Sequence, residues 1–150
     1  MSQPIAAGSI ILEKGKWKLS LRPHARIMLL RLFAKASKYD EGPVTLQDTL
    51  ENCRNIAWFM SRFPLTISEE HKTHLAKRSV EQREMERGVQ DLLAGYSPPL
   101  AFPLAIPARD YQMVAATLAY QAKGRGLLIA DPVGLGKTVE AICPLTMEDT

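Results

Sequence analysis

The chain has 150 residues, 46% of them hydrophobic, with 19 basic against 16 acidic side chains and a formal charge of +3. That length allows one ordinary domain, or one small domain plus part of another, and the charge is too mild to argue nucleic-acid binding by itself. Two cysteines with neither C-x-x-C spacing nor a histidine partner at ligand spacing, no apolar run near ~18 residues and no signal-peptide pattern predict a reduced, soluble, cytoplasmic chain without a structural metal, nucleoid-associated if bacterial.

Ile10-Ile11-Leu12, then Gly15, then the period-two run Trp17-x-Leu19-x-Leu21 predict two short strands joined by a charged turn. Pro23 fits the first turn of a helix running to about residue 37, with Ile27, Leu30 and Ala34 on one face. Arg22, His24, Arg26 and Arg31 read as its solvated side. Gly42-Pro43 ends that pattern, and a short strand over 44–46 follows. Thr49 is placed to cap a helix whose Cys53, Ile56, Ala57 and Met60 recur at i, i+3, i+4 and i+7, and Pro64 ends it. Trp58 and Phe59 on this helix read as core residues rather than as a base-stacking platform.

Residues 68–94 turn polar and helical, with Ser68 as a cap before Glu69-Glu70 and Ser79-x-x-Gln82 marking either a second start or a kink. Leu75, Val89, Leu92 and Leu93 are too sparse to bury the whole length. His71 and His74, at i and i+3 beside Glu70, lack a third spaced ligand and read as solvated helix histidines rather than a metal pair. Pro98, Pro99, Pro103 and Pro107 predict an extended linker over 96–107. The expected organisation is an accessory domain over 1–95, mostly helical after its hairpin, then this linker, then the start of an ATP-binding lobe over 108–150.

Beyond the linker, Tyr111, Val114, Ala115 and Leu118 mark one helix face, residues 126–130 a strand, and Thr138 the opening of a helix that Pro144 should stop or kink. Residues 127–142, LLIADPVGLGKTVEAI, therefore run strand, glycine-rich turn, helix. That is how proteins cradle nucleotide phosphates. Backbone N–H groups of Gly134, Leu135 and Gly136 turn inward, Lys137 reaches the β/γ-phosphates, and the Thr138 hydroxyl ligates Mg²⁺. The strict spacing G-x-x-x-x-G-K-[ST] is not met, because Asp131 stands where its first glycine would be.

The segment from Ala130 to Thr138, ADPVGLGKT, resembles motif I of the Swi/Snf-type DNA-dependent ATPases of helicase superfamily II. Pro107-Ala108-Arg109-Asp110-Tyr111-Gln112 is similar to that family's entry motif, and together the two parts cover about residues 107–142. One departure is Pro132, where the family usually carries an acidic residue; proline donates no backbone N–H and fixes φ near −65°. The resemblance implies ATP and Mg²⁺ as cofactors, double-stranded DNA as partner and a RecA-like α/β lobe. It also implies that Gln112 reads the adenine edge.

The expected fold is thus an α+β N-terminal region, a short hairpin plus helices, followed by an incomplete RecA-like P-loop lobe. Phosphoryl-transfer motors also need a carboxylate pair and an arginine from a second lobe. Neither is found after the loop, since Pro144 and Thr146 break any strand leading to Glu148-Asp149. The preferred reading is the ATP-binding N-terminal portion of a helicase-like DNA translocase, truncated and not catalytically complete alone. The alternatives are a DNA- or protein-binding module, contacting its partner through residues 1–95 and carrying a vestigial loop, and a different P-loop protein, which would need more strands after the loop.

Overall fold

The computed structural model describes residues 5–34, 36, 42–122, 130, 132 and 134–147. The chain is α+β and divides into two compact units, Met1–Met85 and Glu86–Thr150. No described helix is long and apolar enough to cross a membrane.

The first unit opens on the expected hairpin, β1 (Gly8–Glu13) and β2 (Lys16–Leu21), paired antiparallel from Gly8 opposite Leu21 to Glu13 opposite Lys16. Lys14 and Gly15 both take positive φ, +50° and +72°, in a two-residue turn whose twist matches that of the strands. The short strand expected over 44–46 forms as β3 (Val44–Gln47) and pairs antiparallel with β2, giving the order β1-β2-β3. Backbone bonds from Ile10 N–H to the Thr66 carbonyl, 3.0 Å, and from Thr66 N–H to the Gly8 carbonyl, 2.9 Å, cover part of the outer edge of β1.

One face of the sheet is apolar: Ile10, Trp17, Leu19, Val44 and Leu46 are buried, while Ser9, Ile11, Lys16, Ser20 and Thr45 are exposed. Helix α1 (Pro23–Leu32) packs on it through Ala25 and Leu29, followed by Phe33. The expected face of Ile27, Leu30 and Ala34 is therefore corrected. Ile27 and Ala34 are exposed, and the helix stops at Leu32 rather than near residue 37.

Helix α2 (Leu50–Arg62) is capped as expected, the Thr49 hydroxyl accepting from the Asn52 N–H at 3.2 Å, and it ends two residues before Pro64. It buries Leu50, Cys53, Ile56 and Phe59, with Ala57 and Met60 partly covered. Phe59 is core, as expected. Trp58 is not: it is 47% exposed.

Helix α3 (Glu69–Leu93) is continuous, so Ser79 and Gln82 do not mark a second start, and both side chains are buried. Ser68 meets the His71 N–H at 3.3 Å, as a cap should. The histidines are not simply solvated. His71 Nδ1 accepts the Leu12 N–H at 3.3 Å, His74 Nε2 lies 2.9 Å from Asp48 Oδ2, and both rings stand about 6 Å from Trp17, at 6.2 and 6.0 Å between centroids.

In the second unit residues 96–109 form neither helix nor strand, yet they are not a bare spacer. Phe102 is buried against Ala116 and Cys143, with Leu100 and Leu104 alongside, and the Leu100 N–H donates to the Thr117 hydroxyl at 2.9 Å. Helix α4 (Asp110–Gln121) buries Gln112, Ala116 and Thr117. That face is turned from the predicted one, since Tyr111 is exposed and Val114, Ala115 and Leu118 are only partly covered. Helix α5 (Lys137–Ile142) passes into a 3₁₀ turn over Cys143–Met147, the expected effect of Pro144. The predicted strand over 126–130 falls outside the described residues except for Ala130, which belongs to no strand.

Candidate functional site

The start of α4 and the loop before α5 come together, although the chain separates them by more than twenty residues. Gln112 sits at the third position of α4 and is buried. Its Oε1 accepts the Arg109 N–H at 3.0 Å, one half of a capping box, and its Nε2 donates to the Leu135 carbonyl at 2.9 Å. The Tyr111 hydroxyl donates to the same carbonyl, also at 2.9 Å. Two side chains from one helix turn therefore fix a single peptide of the loop. A buried amide of this kind is costly to leave half-bonded, so Gln112 holds the loop at a defined height.

Around that peptide the backbone alternates in hand. Gly134 has φ +94° and Gly136 φ +82°, whereas Lys14 alone among described non-glycine residues takes positive φ, so Leu135 between them does not. Backbones that alternate between αR and αL turn successive N–H groups to one side, the arrangement of many anion-binding loops. Gly136 is fixed twice over: its left-handed conformation disfavours any side chain, and a Cβ there would stand 2.5 Å from Gln112 Nε2. Around Gly134 the space is open.

Lys137 opens α5 and turns back over the loop, its Nζ donating to the Pro132 carbonyl at 3.0 Å. Thr138 follows, exposed. The residues predicted to hold a nucleotide, Gly134, Leu135, Gly136, Lys137, Thr138 and Gln112, are thus brought into one neighbourhood. Asp131 and Val133 lie outside the described residues.

Behind the loop α5 buries Glu140 and leads to buried Cys143. Burial pushes the Cys143 thiol up from its ordinary value, the nearby Glu140 adds to the shift, and the side chain packs with Phe102 and Ala116. Tyr111 is the residue the sequence placed differently: read as one of a helix's apolar face, it anchors the loop through its hydroxyl. Its signal was its place beside Gln112 in the entry motif. Among the described residues no group of three or more metal-ligating side chains is gathered. Compared with protein-family models, with curated proteins and with solved structures, the chain finds no significant match in any of the three.

Proposed function

We propose that the chain binds ATP with Mg²⁺ through the loop from Gly134 to Thr138, at the start of a RecA-like lobe, as part of a helicase-like DNA translocase similar to the Swi/Snf-type ATPases. One observation carries this reading: Tyr111 and Gln112, from the entry motif, both donate to the carbonyl of Leu135, inside the glycine loop. That the two motifs, apart in the chain, share one hydrogen-bonded peptide supports the reading; with both ends of its amide bonded inside the protein, Gln112 acts here on the loop.

The residues present fit a polyphosphate. Two glycines of positive φ flank Leu135 in the loop, and the Lys137 ammonium rests on a neutral carbonyl that phosphate oxygens would replace with a stronger, charge-assisted acceptor. Thr138 offers an exposed hydroxyl to Mg²⁺. Gln112 and Tyr111 hold the loop in place for both. Bound ATP would supply the free energy of phosphoryl transfer; the loop residues bind and orient it. Duplex DNA as the partner rests on the resemblance alone.

The test is Lys137→Ala, with binding of a fluorescent ATP analogue measured in the presence of Mg²⁺. Losing one charged hydrogen bond to phosphate, about 1.5–3 kcal/mol, should weaken affinity by about ten- to a hundredfold. Equal affinity in parent and variant would remove the phosphate-loop reading.

A further inference from the structure

Helix α3 is docked along one side. Leu75 and Gln82 are buried, whereas Thr73, Ala76, Lys77, Val80, Glu81 and Glu84 are exposed and line a shallow groove along the other side. All of these residues belong to the first unit. Val80, 50% exposed, is the bulkiest apolar side chain in the groove. At 3.6 residues per turn Lys77 and Glu84 fall about 60° and 40° to one side of it, and Ala76 about 40° to the other.

Charge is ordered along this face. Lys72 and Lys77 precede Val80, and Glu81 and Glu84 follow it. Glu69, at the far end, is met by Lys72 of its own helix at 3.5 Å. A two-fold axis at the middle of the face turns the basic half of one copy onto the acidic half of another, and every match is then made twice. With Val80 against Val80 and the helices antiparallel, Lys77, three residues before the crossing, comes opposite Glu84 of the second copy, four residues after it. Arg83, about 60° round on the side of Ala76, comes beside that small residue and not against Lys77. A parallel pairing would instead set lysine against lysine and glutamate against glutamate, so the charge order selects one orientation.

We propose that this face of α3 pairs with the same face of a second copy of the chain, antiparallel, with Val80 at its centre and two Lys77–Glu84 ion pairs across it. From Glu69 to Glu84 the face is about 24 Å long at 1.5 Å per residue. One helix pair of that length belongs with small, transient interfaces, under about 1,200 Å², so the dimer is weak and depends on salt. The pairing uses no residue of the ATP loop and holds whether or not that loop binds nucleotide.

The experiment is sedimentation equilibrium of the full chain from about 10 μM to about 1 mM, at low and high salt, with circular dichroism as the check on folding. The parent should show a monomer–dimer equilibrium that weakens as salt is raised. Lys77→Glu and Glu84→Lys should each weaken self-association by about tenfold or more, because two ion pairs become two like-charge contacts. An equimolar mixture of these two variants should associate about as tightly as the parent, since each mutated charge then meets its opposite on the other chain. Val80→Asp should weaken the dimer and Lys137→Ala should leave it as in the parent. The pairing is overturned if the parent stays monomeric at the highest concentration, or if Lys77→Glu, Glu84→Lys or Val80→Asp dimerises like the parent. It is equally overturned if the mixture of the two charge variants associates no better than either alone.

Discussion

The core of the first unit and the loop of the second are held by different forces. In the first, thirteen buried apolar side chains among the described residues, from Ile10 on β1 to Leu75 on α3, form one continuous cluster. In the second the corresponding cluster includes, among the described residues, Phe102, Ala116 and Cys143, and the loop itself is fixed by side chains bonded to backbone carbonyls. A core assembled by area tolerates changes of detail at many points. A loop set by two hydrogen bonds and two left-handed glycines is specified by a handful of atoms, and such specification is typical of ligand-binding loops on a scaffold.

The largest effect should come from attacking the core. Phe59→Ala removes a side chain that is 1% exposed and stacked on Phe63 at 4.9 Å, and should cost about 3–5 kcal/mol in denaturant unfolding of the first unit. A loss under about 1 kcal/mol would break the contrast, because Phe59 would then not be an integral part of the cluster.

A smaller, local effect should follow Gly136→Ala. Positive φ costs a non-glycine residue about 1–3 kcal/mol, and the new methyl would push Gln112 Nε2 off the Leu135 carbonyl. Affinity for the ATP analogue should fall by about tenfold or more while the unfolding of the first unit, followed by hydrogen exchange in α2, stays as in the parent. Unchanged affinity would show that the loop is not held in the way its geometry indicates.

The smallest effect sharpens the comparison at the one place where the apolar core meets a polar network. Burial alone would raise the Asp48 carboxyl, but hydrogen bonds from Cys53, His74 and Trp17 and the charge of Arg78 hold it below its ordinary 3.8. A carboxyl lowered on folding contributes stability that is complete above the unfolded value and is lost as pH falls through the folded one. Urea midpoints of the first unit should therefore drop below pH 3.8, and Asp48→Asn should lose stability at neutral pH while showing a shallower acid limb. At the other end, burial and then Asp48 push the Cys53 thiol up to about 11, so its contribution is present below its unfolded 9.0 and fades as pH rises through the folded value. An identical acid limb in parent and variant would mean that the Asp48 network adds nothing to the core.

Local chemistry made much of the first unit legible. Alternation in Trp17-x-Leu19-x-Leu21, the Thr49 cap and Pro64 each act within a few residues, and the elements formed where those signals stood. The phase of α1 was not legible because Ile27, Met28, Leu29, Leu30 and Leu32 crowd one stretch and almost any face looks apolar; the sheet chose Ala25, Leu29 and Phe33. Trp58 is a different case. At about 100° per residue it lies about 200° around the helix from Ile56, so periodicity placed it outside, and only its size argued for the interior. His71 and His74 could not be placed from their own helix, since what they meet, Trp17, Asp48 and the Leu12 amide, comes from residues 12–48. In the second unit the glycine pattern named the loop, but that Gln112 and Tyr111 share the Leu135 carbonyl depends on how two segments approach, which spacing alone does not encode.

The two tryptophans have a consequence of their own. Trp17 is fully enclosed, its indole N–H committed to Asp48 at 3.0 Å, while Trp58 stands half in water under a guanidinium. Since these are the only two in the sequence, the emission spectrum divides into a blue component from the core and a red one from the surface. A water-soluble collisional quencher reaches the red component alone until the first unit unfolds. The chain therefore carries two optical reporters without any label, one for the integrity of the β-sheet core and one for whatever comes to rest on α2.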